Sequence, residues 1–285
     1  MLFGAHVSVS SGFDEAVRYA ASVGCECLQL FAKSPRQWHG KSLAPEAIAA
    51  HLAVREELDF GPVFTHTAYL INLATDDEVM RAKSIPALAD ELVRAGQLRA
   101  HGVVTHLGND PAQDPDAAAR RVAEAVLAAR ELAGDAAADV RLLLENTAGA
   151  GRTFGSNCAE LAACVDASGL PPELLGVCID TCHLFAYGAA LDTPAGWDEV
   201  VAELDACLGL DRLGLIHAND CKFESGSRKD RHEWIGDGFI GHEGFSAMVC
   251  HPKLAGVPVV TEMPGEVPEK DEVNVARLKA MRDAC

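Results

Sequence analysis

Nine side chains able to hold divalent cations are spread along this chain: His66, His106, Glu145, Asp180, His183, His217, Asp230, His232 and Glu262. Five imidazoles and four carboxylates make a donor set of nitrogen and oxygen without thiolate. Such a set suits zinc, with manganese or iron as competitors. At roughly three to four ligands per ion, with carboxylates able to bridge, nine donors imply two or three ions. Two ions ~3.5–4 Å apart under a shared carboxylate are a common arrangement for cleaving phosphate esters. Taken singly, each residue has a blander reading. A histidine at a strand end is usually a hydrogen-bonded core residue, and Asp180 or Glu145 alone could cap a helix or pair with a base. The recurrence carries the argument, because buried carboxylates are costly to ionise unless cations accompany them.

The donors fall at one kind of place. Short apolar runs at 2–9, 27–32, 63–68, 102–107, 140–147, 174–181, 212–219 and 257–263 each end in a polar or charged residue. Near-continuous apolar runs of this length suit strands buried on both faces, as in a parallel sheet. Ala-rich amphipathic segments at 14–23, 45–58, 76–98, 114–134, 157–168, 197–208, 243–250 and 270–283 alternate with them. Pro45 fits a first helical position, Gly24 and Gly134 fit helix ends, and Pro86 is expected to kink or divide the third helix. Eight β-then-α units predict a single-domain (β/α)8 TIM barrel over 1–285. A doubly wound open sheet is the rival, but no Gly-rich phosphate loop follows the first strand. In such a barrel the active site lies at the carboxyl ends of the strands, which is where His66, His106, Glu145, Asp180, His217 and Glu262 sit. His183 follows just after, and Asp230 and His232 lie in the next loop. His6 is ambiguous and could stand behind the donors. His39, His51, His101, His242 and His251 read as solvated or structural.

Composition narrows the class. The chain has 285 residues, is 49% hydrophobic and carries a formal charge of −18. No apolar stretch is long enough to span a membrane, and the first residues lack a basic segment and a long apolar core. The cytoplasm is the default expectation, and nothing demands more than a monomer. Ten cysteines occur without any C-x-x-C pair, so they are expected to be reduced, buried and hydrophobe-like, Cys178, Cys207 and Cys250 among them. A pI of about 4.9 argues against general nucleic-acid binding unless bound cations change the local balance.

Against that background GAHVS (4–8), FAKSPRQW (31–38), HTAYLINLA (66–74), ENTAG (145–149), IDTCHLFAYG (179–188), HANDCK (217–222) and GSRKDRHEWIGDGFIG (226–241) stand out. Across essentially the whole chain these resemble the motifs of endonuclease IV, the metal-dependent apurinic/apyrimidinic endonuclease family. The resemblance implies a barrel with three metal ions, normally zinc, with manganese possible at one or more sites. One ion would be held by His66, His106 and Glu145. A second would be held by Glu145, Asp180, His217 and Glu262, and a third by His183, Asp230 and His232. It further implies hydrolysis 5′ to an abasic site in duplex DNA, leaving a 3′-hydroxyl and a 5′-deoxyribose phosphate, with repair of blocked 3′ ends as a related activity. Arg36, Tyr69 and Leu70 would be the residues inserted into the damaged duplex.

The basic stretch GSRKDRH then has a reading. In an extended segment, residues two apart share a side. Asp230 and His232 can face an ion while Lys229 and Arg231 face DNA phosphates. Lys33, Arg36 and Lys222 could extend the positive rim. An abasic nucleotide is cheaper to extrude because its base is missing, and a guanidinium with an apolar wedge suits a kinked duplex. The rival readings are a metal-dependent sugar isomerase or epimerase of similar barrel architecture, and a zinc-stabilised DNA-binding module without chemistry. A neutral sugar needs neither a third metal triad nor a basic loop, and stabilisation alone does not need a multi-ion cluster.

Overall fold

The computed structural model describes residues 1–285. Its strands are β1 (Phe3–Val7), β2 (Cys27–Phe31), β3 (Val63–His66), β4 (Gly102–His106), β5 (Leu142–Glu145), β6 (Leu175–Asp180), β7 (Leu213–His217), β8 (Asp220–Cys221), β9 (His232–Glu233) and β10 (Val259–Thr261). All but β8 and β9 close into one barrel of order β1-β10-β7-β6-β5-β4-β3-β2, every pairing parallel. The expected (β/α)8 architecture is therefore present. β8 and β9 form a separate antiparallel hairpin after β7. The sequence alone reads as a loop there, because two-residue strands have no periodicity to detect.

The outer helices are α1 (Phe13–Ser22), α2 (Pro45–Glu57), α3 (Glu78–Gln97), α4 (Pro115–Ala133), α5 (Cys158–Ser168), α6 (Thr181–Tyr187), α7 (Pro194–Cys207), α8 (Gly241–Cys250) and α9 (Glu269–Asp283). Their starts are chemically marked. Asp77, Asp114, Asn157 and Thr193 each accept a backbone N–H of the first turn, satisfying a donor that has no partner within the helix. Pro86 does not divide α3, which is continuous through it. The sequence pattern does not reveal α6. It is only seven residues long and follows directly on β6, with Asp180 as its cap.

Two cores result. The larger lies between the barrel and its helices and includes Phe3, Leu92, Leu142, Trp197 and Phe245. The smaller, inside the barrel, consists of Cys27, Phe64, Val104, Leu143, Cys178, Leu215 and Val260. Strand side chains alternate between faces, so the next inward position is two residues further on. Those positions are Gln29, His66, His106, Glu145, Asp180, His217 and Glu262. On β1 the corresponding pair is Gly4 and His6, and a Cβ on Gly4 would collide with the Cys27 carbonyl. The pleat thus sets an apolar floor and, directly above it, a polar layer.

The cysteines need one correction. Cys250 and Cys285 are joined as a disulfide, and Cys207 is exposed, against the expectation of a uniformly reduced and buried set. The cause is tertiary. Cys250 ends α8 and Cys285 follows α9, and these packed helices bring the two Cα atoms to 5.5 Å, within bridging reach. A pair 35 residues apart gives no local signal. Closing such a loop restricts the unfolded chain, so Cys285→Ser is expected to lower the unfolding free energy by about 2–4 kcal/mol in urea titrations. An unchanged midpoint would show that the link adds nothing.

Candidate metal centre

Glu145, at the end of β5, is fully buried and lies at the centre of the polar layer. Its Oε2 is 3.1 Å from His66 Nε2 and 3.4 Å from His106 Nε2, and its Oε1 is 2.9 Å from His217 Nδ1. On the side of α6, His183 Nε2 and His232 Nε2 approach Asp230 at 3.2 and 3.1 Å. Three thiolate-free donor groupings emerge, with the donor atoms of each within 4.8 Å of one another: His66, His106 and Glu145; Glu145, Asp180, His217 and Glu262; His183, Asp230 and His232. Asp180 and His232 also group with the Cys182 sulfur. The three thiolate-free groupings are the same that the family resemblance implies. All nine residues come together at one mouth of the barrel.

The tautomers follow from the far side of each ring. His66 Nδ1 donates to the Thr67 carbonyl at 2.8 Å, His183 Nδ1 to the Asn146 carbonyl at 2.9 Å, and His232 Nδ1 to the Glu262 carbonyl at 2.9 Å. A carbonyl only accepts, so the proton sits on that nitrogen. The other nitrogen then presents a lone pair to a carboxylate. Lone pair against lone pair is repulsive unless a cation lies between. With protons as the only cations, the rings must take up charge. Burial opposes this, yet Asp180 and Asp230 raise His183 to about 10, and the Asp230 hydrogen bond with the Asp180 and Glu262 charges raises His232 to about 9. Burial also acts to raise the Glu145 carboxyl, but His106 and His217 hold it well below its ordinary value. Divalent ions would meet the same demand with ligands already aimed, and the nitrogen–oxygen chemistry of the set fits them.

A ring of neutral amides fixes the donors. Gln29, fully buried on β2, donates from Nε2 to Glu262 at 2.8 Å and accepts at Oε1 from His217 Nε2 at 2.9 Å. That bond leaves His217 Nδ1 free to face Glu145. His6 Nδ1 is 2.9 Å from the same amide and 3.1 Å from Glu262, so His6 stands behind the donors. Asn146 accepts the Asp180 N–H at 2.6 Å, and Asn219 donates to Asp180 at 2.6 Å while accepting the Glu262 N–H at 2.7 Å. Asp220 anchors the β9 side of the loop, accepting N–H groups of Gly236, Gly238 and Ile240 at 2.9–3.0 Å. Gln29, Asn146, Asn219 and Asp220 escape the sequence reading. The signals that could have found them are a lone polar residue in an apolar run, Gln29 within CLQLFA, and polar residues close after donors, as in ENT and HAND.

The remaining candidates line the rim. Arg36 is exposed on the β2–α2 loop, and Tyr69 is exposed on the β3–α3 loop with half-buried Leu70 beside it. The Tyr69 N–H donates to the Pro35 carbonyl at 3.1 Å, tying the two loops together. The Tyr69 ring meets Phe31 edge-on at 5.5 Å. Tyr69 and Leu70 border an open cleft of about 470 Å³ that also reaches His106, His183 and Asp230. Lys229 and Arg231 are exposed, and Lys229 Nζ rests 4.1 Å from the centre of the Phe223 ring. Lys222 is exposed as well. Lys33 is not on the rim. It is buried, bonded to Asp90 at 2.8 Å and lies 3.4 Å from Glu91, because its long stem follows the β2–α2 loop inward to α3.

Gln29→Leu keeps the volume but removes both hydrogen bonds. It is expected to weaken binding of one ion by about 10–100-fold, read by competition with a chromogenic chelator. Unchanged affinity would reduce Gln29 to a space-filler.

With the geometry in place, several likenesses bear on it. A family model described as a xylose isomerase-like TIM barrel matches residues 17–283. A protein of Chloroflexus aggregans named probable endonuclease 4 is 41% identical over 98% of this chain and 97% of its own. The crystal structure of endonuclease IV from Thermus thermophilus superposes with a TM-score of 0.87 at 33% identity, covering 100% of both chains. A D-tagatose 3-epimerase-like structure superposes with a TM-score of 0.70 at 18% identity over 100% of this chain and 96% of its own, a likeness of fold alone. Full-length identity of this order, on a closed barrel with the donors gathered at its mouth, means that the chain belongs to the endonuclease IV family of xylose isomerase-like TIM barrels.

Proposed function

We propose that this protein is an apurinic/apyrimidinic endonuclease that hydrolyses the phosphodiester 5′ to an abasic site in duplex DNA. The products are a 3′-hydroxyl and a 5′-deoxyribose phosphate. Three divalent ions are implied, zinc foremost and manganese as an alternative. The single observation supporting this most directly is Glu145, fully buried yet facing three imidazole nitrogens within 3.4 Å. A blocked 3′ end presents the same phosphoester bond, so its trimming is a natural second activity. A monomer acting on damaged DNA in the cytoplasm is the simplest accompanying picture. No helix is long and apolar enough to cross a membrane.

The reaction needs a nucleophile in line with phosphorus and a route out for the 3′-oxygen. When bound, the ions supply a reactive water near neutral pH and draw charge from the phosphoryl oxygens. Glu145 orients that water, since its two oxygens span the His66/His106 side and the His217 side. The water oxygen would form the new bond to phosphorus and give its proton to solvent, while the P–O3′ bond would break towards the His183, Asp230 and His232 triad and the departing 3′-oxygen would take a proton from solvent. Arg36, Tyr69 and Leu70 enter the space left by the missing base and hold the extruded sugar near the donors. Lys229 and Arg231 meet backbone phosphates from the strip that also holds Asp230 and His232. Elsewhere the acidic body repels undamaged DNA, which restricts binding to duplexes able to reach the mouth.

The expected result is nicking of a duplex carrying one abasic site, abolished by exhaustive chelation and restored by zinc. Glu145→Gln should lower the rate at least about 100-fold while leaving the fold intact by circular dichroism. Nicking that survives chelation would overturn the metal requirement, and epimerisation of a ketose without nicking would return the protein to the sugar-barrel reading. Replacing Lys229 and Arg231 together with Ala should flatten the slope of log affinity against log salt by about 1–2. An unchanged slope would remove both from the DNA interface.

A further inference from the structure

A second cluster of metal-type donors lies outside the barrel mouth, at the seam of α5 and α7. Cys158, the first residue of α5, is buried there. Glu203 and Cys207 sit one helical turn apart on α7, at positions i and i+4 that share a face. The two sulfurs and a Glu203 carboxylate oxygen all lie within 4.8 Å of one another. We propose that Cys158, Cys207 and Glu203 form a separate site for a thiophilic divalent cation of the zinc type, with water as a fourth ligand.

Three features favour this. Two thiolates with a carboxylate select zinc-like ions over magnesium, manganese or calcium, unlike the thiolate-free set at the barrel mouth. Cys207 ends α7, whose last turn contains no basic residue, so the negative end of the helix dipole is uncompensated. Cys158 opens α5, where the positive helix end favours a thiolate. The Cys158 Sγ lies 3.8 Å from the Glu203 carbonyl and beside the Cys207 thiol, both weak contacts. Burial and the neighbouring thiol push the Cys158 thiol up, so the cation itself has to drive ionisation. On binding, each thiol releases its proton to solvent as its sulfur joins the ion, and Glu203 adds an oxygen. The ion would clip α5 to α7. Because Cys207 and Glu203 are exposed, it can exchange with the medium.

The test uses the full chain, stripped by chelator, kept in reductant and titrated with cobalt(II). Thiolate-to-cobalt charge transfer gives a near-ultraviolet band that nitrogen and oxygen donors do not produce. The band is expected in the native protein, absent when Cys158→Ser and Cys207→Ser are combined, and shifted to at least about tenfold higher cobalt concentration in Glu203→Gln. Nicking of abasic duplex should be the same in all three. No band in the native protein would overturn the proposal. So would a band that persists when Cys158→Ser and Cys207→Ser are combined, which would move the thiolate to Cys182 beside Asp180 and His232. A Cys158–Cys207 disulfide that survives the reductant, found by peptide mass, would also overturn it.

Discussion

The structure is organised around an electrostatic conflict at Glu145. A carboxylate shut away from water faces the His66 and His217 nitrogens whose lone pairs point at it, because the opposite nitrogen of each of these two rings has been assigned a proton by a backbone carbonyl or an amide. Nothing neutral resolves that arrangement. The fold sustains it only where positive charge can enter, which is the open end of the barrel. The caps, the amide ring and the hairpin of β8 and β9 can all be read as devices that keep these lone pairs aimed while a cation is exchanged.

Much of this is legible in the chain. Eight apolar runs alternating with Ala-rich segments are enough for the barrel, because parallel strands buried on both faces leave a long hydrophobic trace. The donors are legible because they terminate those runs, where a lone polar residue has no packing reason to be. The loop Asp220–Glu233 is legible only in its charge pattern. Its hairpin and its anchor depend on backbone N–H groups converging on Asp220 from residues 16–20 positions away, and a one-dimensional reading cannot see such convergence. Lys33 misleads for a related reason. Beside exposed Arg36 it looks like a rim cation, but Asp90 and Glu91 claim it from another helix. The Cys250–Cys285 link escapes in the same way, being a fact about two helices rather than about either segment.

The β2–α2 and β3–α3 loops are mechanically joined to the polar layer. The loops bearing Arg36 and Tyr69 share a backbone hydrogen bond, and buried Glu91, beside Lys33 at the base of one loop, accepts the Ala68 N–H at 3.1 Å at the base of the other. Tyr69 in turn leans on Phe31, whose ring lies 4.4 Å from that of His6. A duplex seated on these loops would therefore press on groups that contact the polar layer directly. That gives a physical route by which the fit of damaged DNA can bear on the geometry of the reacting centre.

The strict alternation of inward and outward residues along the barrel strands has an evolutionary corollary. Substituting one side chain alters one position of one layer and leaves the others standing. Inserting or deleting a single residue within a strand would reverse every side chain beyond it, turning donors outward into the apolar shell beneath the helices and apolar groups inward to the mouth. Length changes in this lineage should therefore accumulate in the connecting segments, while the strands drift only by exchange.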